Sequence, residues 1–192
     1  MYRYRTVRGV WGSLKKPILA VAMDALQLLK QNVFPQIEQR LGFDFVNYFL
    51  LITFVCSGFT KVAAPMHKVG YGQWPTLIAS KLLFILIGVW EIVGIMLYHQ
   101  KMFVPAYTML LMFMGGVFSS ITVINPKLVG LLVFAAPTTI FLLYAANKHS
   151  TNLADLNQVS SNAFILISVG YVIGFILHVI SPKEKKDAKA KQ

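Results

Sequence analysis

The sequence predicts an all-α integral membrane protein: a compact four-helix transmembrane bundle, one extra C-terminal transmembrane helix and an N-terminal amphipathic helix. Three observations carry this prediction. Hydrophobic residues make up 56% of the 192-residue chain and the mean hydropathy is +0.62, against roughly 45–50% apolar residues in a soluble domain. The excess lies in blocks long enough to cross a bilayer, without the alternation of barrel strands. Inside one block, LFILIGVWEIVGIML at 83–97, sits a carboxylate, Glu91. Backbone groups in lipid must be satisfied internally, which makes the blocks helices.

The elements follow in order. Residues 1–44 form a basic arm and an interfacial helix. The opening MYRYRTVRGVWGSLKKP carries Arg3, Arg5, Arg8, Lys15 and Lys16 and no acid. It reads as an arm on lipid or on a partner, with an uncleaved mitochondrial import signal as the alternative. Over 18–34, Ile18, Val21, Ala22, Ala25, Leu29 and Val33 recur at helical spacing. Asp24, Gln27, Lys30 and Gln31 interrupt any continuous apolar span, so this helix lies in the interface. Pro35 should end or kink it.

Five spans come next, at 45–64, 76–98, 103–124, 128–146 and 163–180. At 1.5 Å per residue each crosses roughly 30 Å of hydrocarbon. The short links HQK (99–101) and NPK (125–127) force antiparallel neighbours, which groups 45–146 as the four-helix bundle. A polar linker, 147–162, sets the fifth span apart, with Ser160, Ser161 and Asn162 as candidate caps. Pro137 should kink the fourth span and free a carbonyl, for which Thr138 and Thr139 could compensate. The tail 181–192, SPKEKKDAKAKQ, is too charged to order by itself.

The net charge of +11 lies mostly in the ends and loops. Anionic lipids such as cardiolipin, or an acidic partner surface, account for it better than nucleic acid, for which no binding module is present. Lysine and arginine divide nine against nine between the two sides, so the positive-inside rule assigns no orientation. The lone cysteine, Cys56, excludes an intrachain disulfide and reads as a small buried hydrophobe. His67, His99, His149 and His178 lack metal-ligand spacing, and no metal or cofactor is expected. Walker, C-x-x-C and nucleophile-elbow motifs are absent, so soluble-type catalysis has no visible machinery.

Glu91 is the residue from which function has to be argued. A carboxylate at that depth is expensive and is found with a partner or a task. Gly88 and Gly94 flank it at intervals of three, nearly on one helical face, and let a neighbouring helix approach closely. The first expectation is a packing face with a structural acid, kept neutral by desolvation. The second is a proton or substrate site. Lys61 ends the first span and Lys81 begins the second, and both are expected to snorkel to headgroups. A Lys61–Glu91 pair would require long reach or a tilted, wet interior. In the third span Gly115, Gly116, Ser119 and Ser120 form a small polar patch suited to close packing or to hydroxyl bonds across helices, including to Glu91. Gly58 completes the expected packing set.

Residues 51–64, LITFVCSGFTKVAA, resemble the first helix of DoxX-like membrane proteins, which tends to read apolar–SGxxK. EIVG, with Glu91 and Gly94, looks like that family's E-x-x-G element, and MGGVFSS resembles its small-residue segment. Lys61, Glu91, Gly94 and Gly116 are the matching positions. The resemblance covers 45–146, about half the chain. It implies a four-helix membrane bundle, and a role among those of the family: quinone-linked sulfur oxidation, redox stress or membrane-protein assembly. The basic arm, the fifth span and the tail depart from the family pattern and look like attachment devices.

The expected function is therefore a non-catalytic accessory or structural subunit of a larger membrane complex, with other integral membrane subunits and anionic lipids as partners. A mitochondrial respiratory complex of the inner membrane is the host suggested by the basic start. The alternatives are a quinone-linked redox protein in which Glu91 handles protons, and a small transporter or channel.

Overall fold

The computed structural model describes residues 20–21, 23–63, 78–124, 130–150 and 154–180. The basic arm 1–17, His67, the NPK turn and the charged tail lie outside them, as do the side chains of Lys81 and His178. Among the described residues the protein is all-α, with seven α-helices: α1 (Phe34–Arg40), α2 (Phe43–Ala63), α3 (Ile78–His99), α4 (Phe103–Ser119), α5 (Leu132–Ser150), α6 (Ala154–Ser161) and α7 (Ala163–Ile180). Two stretches, Phe43–Ala63 and Phe103–Thr122, are long and apolar enough to cross a membrane. The chain divides into two units, Met1–Phe45 and Val46–Gln192.

In the first unit Pro35 does not end the amphipathic segment. A π-helical turn, Leu29–Val33, runs into α1, and Pro35 occupies its first turn. Proline lacks the N–H that an α-ladder would need there, and the first turn is where that lack is harmless. The Phe34 N–H bonds Leu29 O, the wider π spacing. Gly42, at φ +79°, closes α1, its N–H bonding Ile37 O at 3.1 Å.

In the second unit α2 and α4 each bury one stripe, whereas α5 is buried all round at 142–146. On α2 it is Val46, Leu50, Phe54, Gly58 and Lys61, spaced by three or four. On α4 it is Ala106, Tyr107, Leu110, Leu111, Met114, Gly115 and Ser119. The α3–α4 link ends α3 in a Schellman arrangement: Met102 N–H bonds Leu97 O at 2.9 Å, and Lys101 N–H bonds Tyr98 O at 3.0 Å. Lys101 takes φ 63° to make it, a conformation usually left to glycine.

The fifth span does not stand apart. Helix α7 lies directly on α4, backbone against backbone. A Cβ added to Gly115 would be 1.9 Å from Ile167 O, and one added to Gly170 would be 1.8 Å from Met112 O. Gly174 sits over Gly116, with Gly116 Cα 3.1 Å from its virtual Cβ. Moving four residues along α7 moves four along α4, so the two helices run parallel. The signal is in the sequence as G-x-x-x-G at 170–174, the small-residue spacing that lets helices touch. The polar linker is also more ordered than expected. It carries the end of α5 and all of α6.

Two local expectations are corrected. Pro137 lies inside α5, but Thr138 and Thr139 do not take the carbonyl it frees. Their hydroxyls donate to Phe134 O and Ala135 O at 2.7 and 2.8 Å, one turn back from each threonine. Cys56 is exposed, not buried. It shares its side of α2 with the exposed Ile52, Val55 and Phe59, opposite the Gly58 stripe.

Gly115 and Gly116 separate the packing effects cleanly. Gly115→Ala should destabilise the protein by about 1–3 kcal/mol or more through overpacking. Gly116→Ala should be tolerated, because its Cβ would meet nothing nearer than Gly170 O at 3.9 Å. Thermal unfolding of the two variants in detergent measures the contrast.

Candidate functional site

The site is built where α2 and α3 cross. Gly58 and Gly88 bring the two backbones together: a Cβ on Gly58 would lie 2.8 Å from Gly88 O, and one on Gly88 2.7 Å from Gly58 O. Each glycine also faces the ionisable residue of the other helix. Glu91 Cβ lies 3.3 Å from the virtual Cβ of Gly58, and Lys61 Cβ lies 2.8 Å from that of Gly88. Each charged side chain thus starts over a bare stretch of the opposing helix. The two are separated by about one helical turn along the crossing, which a lysine stem covers easily.

Lys61 therefore pairs with Glu91, its Nζ 2.6 Å from Oε1. This overturns the reach argument made from the sequence. That argument placed Lys61 level with Lys81 near a surface, whereas the crossing places it level with Gly88. Glu91 is fully buried and Lys61 nearly so. The ammonium also donates to Ser57 Oγ and to Ser57 O, the latter at 3.3 Å, and stands 5.3 Å from the centre of the Phe113 ring. Its approach to Glu91 is off the hydrogen-bond direction. Neither carboxylate oxygen has a well-aligned donor among the described residues. The contact is a charge pair more than a hydrogen bond.

The glycines flanking Glu91 face two partners, not one. Gly88 meets α2, while Gly94 meets α4, its virtual Cβ 2.9 Å from Leu110 Cδ2. Glu91, between them, engages α2 through Gly58 and Lys61. Trp90 ties α3 to α4 by donating its indole N–H to Met109 O at 3.0 Å. The serine patch does not reach Glu91. Ser120 Oγ donates to Gly116 O of its own helix at 2.9 Å, and Ser119 Oγ is buried without a hydrogen-bond partner beneath Gly174. Ser57, one turn before Lys61, is the site residue that sequence reasoning missed. It is the S of the SGxxK string.

A cavity of about 530 Å³ opens beside the pair. Lys61 and Ser57 are on its wall and Glu91 is not, so the carboxylate lies behind the ammonium. The remaining wall is almost wholly apolar, with Phe54, Phe113 and Ile121 among its residues. Of its hydroxyls, those of Ser120 and Thr138 are bonded to their own helices, and Thr53 supplies a third.

A second polar cluster closes the opposite end of α3. Tyr98 donates its hydroxyl to Asn47 Oδ1. Its ring meets Tyr107 and His149 edge-on, at 5.6 and 5.9 Å between centroids. His149 also stacks on Phe103 at 3.9 Å. His149 lies three residues past the apolar stretch that ends at Ala146, and burial holds its imidazole below the ordinary histidine range. No group of three or more His, Cys, Asp or Glu side chains able to hold a metal occurs among the described residues.

No known protein family, curated protein or solved structure matches the chain.

Two predictions follow from this geometry. Lys61→Met should destabilise by about 3–5 kcal/mol, because it leaves a buried carboxylate unpaired. The double variant Lys61→Met/Glu91→Met should recover most of that loss, since removing both charges also removes their desolvation. A double-mutant cycle on thermal unfolding tests this. For His149, the unfolded chain takes up the proton first on acidification. Stability should then be greatest above about pH 6.5 and fall as pH drops below it. His149→Phe should flatten that part of the pH–stability curve.

Proposed function

We propose that the chain is an integral membrane protein serving, without catalysis of its own, as an accessory or structural subunit of a larger membrane complex. The observation that carries the reading is an extended apolar outer surface around a core that holds a buried charge pair. The described core holds the charge pair, while large apolar side chains face outward: Ile52 and Phe59 on α2, Leu86 and Met96 on α3, Val172 and Ile176 on α7. Water would not tolerate so extended an apolar surface, and lipid or protein must cover it. The buried acid is engaged by Lys61 across a glycine contact, as a packing clasp would be. The basic arm and tail supply attachment to other integral membrane subunits and to anionic lipids such as cardiolipin. A respiratory-chain complex of the mitochondrial inner membrane is the host we place first, on the basic start of the chain.

The DoxX-like resemblance belongs to the same proposal. SGxxK on one helix and G-x-x-E-x-x-G on the next form one unit, each glycine admitting the charge of the other helix. That gives a physical reason for the two strings to occur together.

A second reading, a quinone-linked redox protein, is favoured by the cavity beside Lys61. It requires Glu91→Gln to abolish quinone reduction in protein assayed below its melting temperature, and unchanged turnover rejects it. A transporter or channel would need a continuous polar path, which the apolar cavity wall does not supply.

The leading proposal predicts that the tagged protein resists alkaline extraction from membranes and co-purifies with other membrane subunits in mild detergent. A solitary, monodisperse protein, with assembly of membrane complexes unchanged after its deletion, would overturn it.

A further inference from the structure

We infer that the cavity beside Lys61 binds one acyl chain of a bilayer phospholipid, with the ester carbonyl of that chain at Lys61 and Ser57. The inference rests on the membrane-embedded part of the preceding reading and not on membership of a complex.

Four observations lead there. The first is size. About 530 Å³ falls within the range of roughly 300–1,000 Å³ typical of small-molecule sites. The second is the wall, whose apolar side chains come from α2, α3, α4, α5 and α7; of its hydroxyls, those of Ser120 and Thr138 are spent on their own helices, and Thr53 adds one on α2. Such a wall suits hydrocarbon and offers a polar ligand little along its length. The third is the direction of the opening. Leu86, Trp90 and Phe134 line the cavity and are also exposed, so it opens sideways onto the apolar outer face and not along the helix axes. The surrounding solvent at such a mouth is lipid, and its most abundant component is the acyl chain.

The fourth observation selects the polar end of the ligand. Lys61 and Ser57 line the cavity while Glu91 stands behind the ammonium, so the pair presents its positive end to the ligand. The pair is neutral as a whole. A bare carboxylate entering beside it would bury one uncompensated negative charge, whereas a neutral carbonyl oxygen accepts a hydrogen bond without that penalty. Ser57 stands at the same point of the wall, its hydroxyl engaged with both Lys61 and Glu91.

Native mass spectrometry of the full chain, purified in detergent and supplied with dioleoylphosphatidylcholine, tests the inference. One phospholipid per chain should survive activation that strips surface lipid. Thr138→Phe, which fills the cavity from the wall, should lower occupancy at least tenfold. Ala135→Leu gives a second filling variant in case the first folds poorly, and thermal unfolding checks both. Ser57→Ala, which leaves the cavity open, should lower occupancy severalfold. Equal retention in wild type and both filled variants overturns the proposal, as does no retained lipid in wild type. Retention of oleate or of a short-chain quinone in preference to phosphatidylcholine overturns the ester assignment. Alkaline extraction of the same preparations reports membrane embedding separately, so failure of that reading is distinguishable from failure of this one.

Discussion

The structure depends on one constraint: a carboxylate has to be buried among apolar helices, and a cation has to be brought to it. Gly58 and Gly88 solve the problem by removing side chains where α2 and α3 cross. The same absence does two things. It brings the backbones within contact, and it leaves room for Lys61 and Glu91 to lie across the opposing helix. A larger residue at either glycine would push the helices apart and separate the charges together. Packing and electrostatics at this crossing are one interaction, not two.

The charge pair also sets what surrounds it. Because Gly94 packs on Leu110, the helix that carries Glu91 is held against α4 as well as α2. Trp90, bonded to Met109 O, fixes the outer edge of that contact. The cavity begins where this tight region ends, and it meets the pair on its lysine side. The polarity seen by anything in the cavity therefore follows from which partner is in front. At the other end of α3 a cluster of aromatic rings does the closing, with Asn47, Tyr98 and His149 as its polar members.

Much of this was legible in the sequence, and the errors have physical causes. Glu91 in an apolar block, its flanking glycines and SGxxK name residues that meet at the crossing of α2 and α3. The pairing of Lys61 with Glu91 was not legible, because helix register depends on where two helices touch and not on where each ends. Gly58 opposite Glu91 was the clue, and it can be read only by aligning the two motifs in antiparallel. Cys56 was misjudged because an apolar block predicts depth but not facing. Its place one side round from Gly58 is what turns it outward. The place of the fifth helix was missed for a different reason. Its G-x-x-x-G is informative only against the small residues of α4, fifty-odd positions earlier in the chain. Ser57 was overshadowed by the lysine it holds.

The parallel contact of α4 and α7 has a consequence for synthesis. The carbonyls of Met112 and Ile167 lie where side chains of an ordinary helix pair would be, so nothing but the glycines of the other helix can fill that seam. During translation α4 emerges long before α7, and until then its Gly115–Gly116 groove is uncovered. The bundle is finished by its last helix. This seam therefore forms late among the packing contacts of α4, and α7 is the helix that completes it.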